Sequence, residues 1–146
     1  MKRQQMYILS ITIAIIASTS YHILQKSTPQ NVNPIIVLLA IYVTGIVVSI
    51  PLFAFFPLQT GLIESVRQLN WASFAVGFAV VGIEIGFLLM YRAGWNISVG
   101  ALIVNVAATL ILIPVGLLLF REQLTPLNLF GIVVCIVGLV MINIKP

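Results

Sequence analysis

Charged residues are scarce in this chain. Only 7% of its 146 residues are charged, and its three acidic residues are Glu64, Glu84 and Glu122. With 61% of the residues hydrophobic, so few charges cannot cover a water-soluble core. The composition therefore excludes an ordinary soluble domain and predicts a protein that is solvated by lipid.

Cysteine and histidine each occur once, as Cys135 and His22. A lone cysteine forms no intrachain disulfide, and its place in an apolar run favours a small packing residue over a reactive thiol. Together with one glutamate in an apolar run, these residues form no recognisable nucleophile–base pair or metal-ligand set. The sequence therefore predicts no enzyme, no metal and no cofactor. For His22, an interface role and a role in proton transfer both stay open.

The seven basic residues form no positive stripe. They occur singly, or as one adjacent pair, between apolar runs. This pattern argues against nucleic acid as a partner and is typical of membrane anchors and topology signals. We therefore expect the protein surface to contact a lipid bilayer.

Five apolar runs approach the roughly 20 residues that a helix needs to cross a bilayer. Each is expected to be helical, because an isolated strand would leave backbone groups unpaired in lipid. The predicted fold is an all-α polytopic membrane protein, a single domain over residues 1–146. Cleavage of the first run as a secretory signal after Ser20 is an alternative, but the apolar pattern continues beyond that residue. The five runs cover residues 6–24, 35–56, 71–91, 97–120 and 127–144.

Prolines and capping residues indicate where these helices end. Pro51 is expected to bend the second helix, and Pro57 to end it. The connector 58–70 has apolar residues spaced by threes, which predicts a short helix at the membrane surface. Thr125 is predicted to cap the last helix, with Pro126 at its first position.

One carboxylate lies inside an apolar run. Glu84 stands in the third run, whereas Glu64 and Glu122 lie in polar connectors. An acid at mid-membrane depth costs roughly 2.5–3.5 kcal/mol on insertion scales, so it normally faces a cavity or a partner. Because an apolar environment disfavours the charged carboxylate, we predict that Glu84 binds and releases a proton. The alternative is a neutral Glu84 that only hydrogen-bonds a neighbouring helix.

Polar and aromatic residues of this helix, of the turn that follows it and of other predicted helices complete a candidate site around Glu84. Helical spacing places Tyr91 on the same side of its helix as the acid. Tyr91 and Trp95 are predicted to offer cation–π contacts, and Asn105 a hydrogen bond to substrate or, alternatively, to another helix. The candidate residues for substrate and proton binding are Glu84, Tyr91, Asn105, Trp95, Ser98, Thr109 and Tyr21.

Glycines mark the faces that are expected to pack against other helices. Gly82 and Gly86 lie nearly opposite Glu84, so one side of that helix is predicted to pack and the other to present the acid. Gly131 and Gly138 form part of a strip of small residues on the last helix. This strip is predicted to dock against a helix of the same subunit or of a second one.

The stretch Leu-Leu-Phe-Arg-Glu-Gln-Leu-Thr at 118–125, followed by Gly131 and Gly138, resembles the end of an EamA-type repeat of the drug/metabolite transporter superfamily. The resemblance implies ten-helix carriers built from two inverted five-helix halves, of which this chain matches one half. In the related small multidrug resistance branch, four-helix subunits form antiparallel dimers, and a glutamate of the first helix takes protons and drug cations. The first helix here has no acid, so that role does not carry over to Glu84.

The balance of basic residues predicts how the chain assembles. With five spans the connectors alternate between the two sides, and four basic residues face one side against three on the other. This difference barely sets an orientation, so we predict insertion in both directions and an antiparallel homodimer. A parallel partner or a separately encoded second half is the alternative. The two groups are Lys2, Arg3, Arg67 and Arg121 against Lys26, Arg92 and Lys145.

The expected function is secondary transport of small metabolites or drug-like amine solutes. Proton-coupled export by alternating access would use Glu84 as the shared site, in the inner membrane of a prokaryotic cell. The alternative is a subunit of a heteromeric flippase for a lipid carrier, which would need an obligate partner chain. A pure assembly protein would instead have its pocket filled with side chains.

Overall fold

The computed structural model describes the backbone of residues 2–143, and the side chains of 4–138, 140 and 141. The described residues form helices and no strand. The chain divides after Ala93 into two compact units. Ile144 and Lys145, which entered the predicted last helix and the charge balance, lie outside the described residues. The elements are α1 (Lys2–Lys26), α2 (Pro34–Ser49), a 3-10 helix (Ile50–Ala54), α3 (Leu62–Arg67), α4 (Trp71–Arg92), α5 (Ile97–Leu119) and α6 (Pro126–Asn143).

Four stretches are long and apolar enough to cross a membrane, which agrees with a polytopic membrane protein. In α6 the apolar stretch, Pro126–Gly138, is shorter. Hydroxyl groups inside the spans bond back to their own helix, as Thr12 Oγ1 does to the carbonyl of Ile8 at 2.8 Å. These bonds satisfy polar groups that have no water partner in the hydrocarbon. The spans are Gln4–Lys26, Pro34–Ala54, Trp71–Arg92 and Ile97–Leu119.

Side-chain caps fix the beginnings of three helices. Asn33 Oδ1 accepts a hydrogen bond from the amide of Ile35 at 2.8 Å, and Asn70 Oδ1 accepts one from Ser73 at 3.2 Å. Thr125 Oγ1 accepts the amide hydrogen of Asn128 at 3.2 Å. Each bond satisfies an amide that has no partner within the helix. The predicted cap at Thr125 is thus confirmed.

The second predicted helix, 35–56, changes character near its end. α2 stops at Ser49, and Ile50–Ala54 continues as a 3-10 helix. Pro51 has no amide hydrogen for an α-helical bond to the carbonyl four residues earlier, and this favours the tighter turns. The predicted bend is therefore a change of helix type. Within the next connector, the expected short helix is α3.

In the N-terminal unit, α4 contacts both α1 and α2. The buried apolar side chains of the described residues are few: Leu38 on α2, and Phe87, Leu88 and Tyr91 on α4. Most other apolar side chains are exposed, as expected for helices whose solvent is lipid. In the C-terminal unit, α5 and α6 contact each other.

Candidate functional site

Glu84 lies on α4 where this helix meets α1, and its side chain is only 9% exposed. Phe87, Leu88 and Tyr91 follow it at spacings of three, four and seven residues, on the same side of the helix. All three are buried. Toward its C-terminal end, the Glu84 side of α4 is therefore closed by packing.

Two side chains of α1 hold one oxygen of the carboxyl group. Gln25 Nε2 donates to Glu84 Oε2 at 3.0 Å and also approaches the main-chain carbonyl oxygen of Glu84 at 3.1 Å. Tyr21 Oη donates to the same Oε2 at 3.3 Å. Because Tyr21 and Gln25 are four residues apart, both lie on one face of α1. Donors directed at a carboxylate stabilise its charged form and lower the cost of burial.

The other oxygen, Glu84 Oε1, accepts no hydrogen bond from the side chains and amides that the structure describes. Among these described side chains, the enclosed polar atoms without a partner are Tyr42 Oη and Arg92 Nε. Glu84 Oε1 is not one of them, so this oxygen is not fully enclosed. The carboxyl group thus has one occupied oxygen and one that is open to a proton or a ligand.

Tyr91 takes part in an aromatic cluster beside Glu84. Its hydroxyl shares a hydrogen bond of 2.9 Å with His22 Nδ1, and its ring stacks on Phe87 with centroids 6.0 Å apart. Lys26 Nζ lies 5.7 Å from the centre of the Tyr91 ring and donates to the Tyr91 carbonyl at 3.3 Å. The cation next to this ring is therefore one of the chain's own. A cation–π role of Tyr91 toward substrate stays a prediction.

Tyr42 enters the same region from α2. Its hydroxyl is enclosed and has no hydrogen-bond partner among the described residues. An enclosed hydroxyl without a partner costs about 1–3 kcal/mol. This cost disappears when a water molecule or a ligand supplies the bond.

The remaining candidate residues belong to the C-terminal unit. Asn105 and Thr109 line a groove of about 540 Å³ between α5 and α6, together with Asn128 and Cys135. Thr109 Oγ1 donates to the carbonyl of Asn105 within α5 at 2.8 Å. A contribution of these two residues to the Glu84 site stays a prediction, as it does for the exposed Trp95 and Ser98.

The four packing glycines have open surroundings. A methyl group added at any of them would meet no atom within 4 Å, apart from the nearby backbone. Packing against another helix at these positions therefore stays a prediction. The positions are Gly82, Gly86, Gly131 and Gly138.

Sequence reasoning missed two residues of the site. Gln25 directly follows the first predicted helix, 6–24, and was therefore assigned to the connector. Its spacing of four residues from Tyr21 was the available signal that both side chains lie on one helix face. Tyr42 lies in an apolar run, where aromatic residues are common, and only its hydroxyl group set it apart from the apolar residues around it. Among the described residues, no three His, Cys, Asp or Glu side chains form a group that fits a metal ion.

The apolar helices define an integral, multi-pass membrane protein, and the buried acid forms a polar cluster between α1 and α4. The sequence model of the EamA-like transporter family matches residues 5–144. The chain therefore belongs to this family, within the drug/metabolite transporter superfamily, whose members are transporters and not enzymes. No curated protein and no solved structure matches the chain.

Proposed function

We propose that the chain is a proton-coupled secondary transporter that exports small metabolites or drug-like solutes carrying an amine. The observation that supports this most directly is the hydrogen bonding of the two carboxyl oxygens of Glu84. One carboxyl oxygen is held by Tyr21 and Gln25, and the other accepts no hydrogen bond from the described part of the chain. An acid with this geometry stays ordered while its second oxygen exchanges ligands.

Proton and substrate compete for that second oxygen. When an ammonium group binds, the proton leaves Glu84, and when the ammonium group leaves, the proton returns. Exposure of the site to alternate sides of the membrane then couples inward proton movement to outward movement of the amine. The low dielectric around Glu84 strengthens the attraction to either cation.

We further propose that α6 forms a fifth span. Its 18 residues reach about 27 Å at a rise of 1.5 Å each, close to the roughly 30 Å of a hydrocarbon core. Two five-span chains in opposite orientations then reproduce the ten-helix carrier of inverted halves. The near balance of basic residues, four against three, supports insertion in both orientations. The open surroundings of Gly82 and Gly86 agree with a helix of the second copy docking there.

The remaining candidate residues have supporting roles in this proposal. Tyr21 holds the acid, Trp95 and Tyr91 present aromatic rings, and Asn105 supplies an amide. Ser98 and Thr109 lie on the same helix as Asn105 and add hydroxyl groups.

Transport in reconstituted vesicles tests the role of Glu84. With a pH gradient imposed, vesicles with wild-type protein are expected to take up a simple amine such as ethylamine faster than protein-free vesicles, which the neutral amine enters unaided, while Glu84→Gln abolishes this excess pH-driven flux. Glu64→Gln is the matched control, because Glu64 is exposed on α3. Full pH-driven flux in Glu84→Gln would refute the mechanism. An inactive wild-type protein that gains activity with a second chain would favour the heteromeric lipid-carrier flippase.

The antiparallel homodimer is tested separately with reporters fused to the C-terminus. One reporter is active only on the cytoplasmic side of a prokaryotic inner membrane, and the other only on the outer side. Both are expected to be active. Activity of a single reporter would exclude dual topology and would leave a parallel or heteromeric partner.

A further inference from the structure

The contact between α1 and α4 is concentrated near the C-terminal ends of the two helices. On α1 the side chains of residues 4–20 are exposed, whereas His22 and Gln25, in the last two turns, are buried. On α4 the buried side chains begin at Glu84 and continue toward its C-terminal end. The two ends lie together, because Lys26 of α1 donates a hydrogen bond to α4 there. The helix pair is therefore closed on the Lys26 side of the acid, whereas α1 is exposed on the other side.

Four aromatic rings fill the closed end of this helix pair. Tyr21 and His22 come from α1, and Phe87 and Tyr91 come from α4; we call them the four-ring cluster. Neighbouring rings have centroids 4.8–6.1 Å apart, within the range of attractive edge-on and stacked contacts. Phe87 is 9% exposed and Tyr91 only 2%. The rings thus stand between Glu84 and the membrane surface at the Lys26 end.

Hydrogen bonds of two kinds hold the closed end together. Within the four-ring cluster, Tyr91 Oη and His22 Nδ1 share a bond of 2.9 Å that is buried. Beyond the cluster, Lys26 donates to the Tyr91 carbonyl at 3.3 Å and Arg92 to the Pro29 carbonyl at 2.9 Å. These outer donors are only half-buried, so water replaces their bonds at small cost when the helices part. The buried bond between His22 and Tyr91 is therefore the costlier one to break.

The α1 helix is the element of the N-terminal unit that is held least firmly. Among the described helices of this unit, α1 contacts α4 and not α2, whereas α4 contacts both. A helix held through one short contact separates from its neighbour at lower cost than a helix that is packed on two sides. Alternating access needs a part of this kind, because each side of the site must be closed in turn.

We propose that the four-ring cluster is a gate that closes the Glu84 site toward the Lys26 end of α1, and that the hydrogen bond between His22 and Tyr91 is its latch. This inference rests on the proposed transport function and adds a moving part to it. In the closed form, a ligand reaches Glu84 from the opposite side. When the end of α1 separates from α4, the rings part and the site opens toward the Lys26 end.

Distances between spin labels at the two helix ends test the gate. Cys135→Ser removes the single cysteine, and labels are attached at Ser27→Cys and Ala93→Cys, which are both exposed positions. A second pair, Ser49→Cys with Ala75→Cys, reports on the contact between α2 and α4. An excess of unlabelled chain in the vesicles ensures that each distance lies within one copy. Double electron–electron resonance then gives the populations of short and long distances.

Tyr91→Phe removes the latch and keeps the ring. The ratio of long to short distances between residues 27 and 93 is expected to rise about tenfold, a factor that corresponds to about 1.4 kcal/mol. The distance between residues 49 and 75 stays unchanged. The proton leak of vesicles without amine is expected to rise about as much, since an open gate leaves the acid accessible from both sides. Tyr7→Phe is the matched control without effect, because Tyr7 is an exposed tyrosine of the same helix.

A combined variant removes the outer bonds as well. In Tyr91→Phe with Lys26→Met and Arg92→Met, the long distance between residues 27 and 93 is expected to predominate. A short distance that persists in this variant overturns the gate. A change in the distance between residues 49 and 75 also overturns it, because the unit is then disrupted rather than opened.

The outcomes separate the gate from the transport mechanism. If Glu84→Gln abolishes the excess amine flux while Tyr91→Phe has wild-type flux, leak and distances, the gate is wrong and the role of Glu84 stands. If the wild-type protein produces no excess amine flux, the proposed function fails. The distance between residues 27 and 93 in Tyr91→Phe then still decides whether the contact opens.

Discussion

The hydrogen bonds that Gln25 makes to Glu84 give a quantitative prediction about stability. Gln25 is only 4% exposed, and its amide nitrogen lies 3.0 Å from Glu84 Oε2 and 3.1 Å from the Glu84 carbonyl oxygen. Replacement by leucine keeps a side chain of similar length but removes both donations. The buried acid then has Tyr21 as its remaining donor, at 3.3 Å.

The expected loss follows from these contacts. A hydrogen bond to a charged group contributes about 1.5–3 kcal/mol, and the additional bond to the carbonyl about 0.5–1.5 kcal/mol. The leucine side chain adds apolar burial that offsets part of this loss. Gln25→Leu is therefore expected to lower the free energy of unfolding by about 2 kcal/mol. Tyr21→Phe, which removes the longer bond, is expected to cost about 1 kcal/mol.

Unfolding of the purified protein in mixed detergent micelles, titrated with a denaturing detergent, measures these free energies. Gln5→Leu is the matched control, because Gln5 lies exposed on the same helix. A double-mutant cycle that combines Gln25→Leu with Glu84→Leu isolates the side-chain pair, because leucine accepts no hydrogen bond. Its coupling energy is expected to be at least about 1 kcal/mol, within the range found for residues in one hydrogen-bond network. A coupling near zero, with Gln25→Leu as stable as wild type, would refute the view that α1 holds the acid through Gln25.

Three further substitutions test other parts of the structure through the same unfolding measurement. Tyr91→Phe keeps the ring but leaves His22 Nδ1 without its partner, so a loss of about 1–2 kcal/mol is expected, and an unchanged stability would contradict the bond. Thr125→Ala removes the cap of α6 and is expected to cost about 1 kcal/mol, whereas Thr125→Ser should restore wild-type stability. Gly116→Leu is expected to cost about 1–3 kcal/mol, because a side chain there meets the carboxyl group of Glu122; a stability equal to wild type would show that Glu122 moves aside freely.

The positions of the helices followed from the sequence because the bilayer requires length and apolar character, and both are visible in the residues. The ends of the helices depended on local chemistry. The cap at Thr125 was readable, since a threonine before a proline has one common role at a helix start. The end of α2 was not, because Pro51 is compatible with a bent α-helix as well as with the 3-10 helix found.

The acid at the centre of the site was predictable, but its partners were not. Glu84 was distinctive because carboxylates are rare in apolar runs. Gln25 lies at a polar helix end, where most side chains face water, and only the packing of α1 on α4 brings it to the acid. Tyr42 could be recognised only once α2 was seen beside α4, since tyrosines are common in membrane helices without any site.

The contacts around Glu84 also determine which element must move if the occupied oxygen is to be exposed. Both donors to Oε2 lie in the last two turns of α1, and the connector that follows is tied to the end of α4, where Arg92 donates to the carbonyl of Pro29 at 2.9 Å. Lys26 adds a second tie through its bond to the Tyr91 carbonyl. A separation of the end of α1 from α4 would expose Oε2 with the loss of all these bonds. Oε1 takes part in none of these bonds. In the proposed function, a ligand is therefore expected to reach the acid first through Oε1, while α1 stays in place.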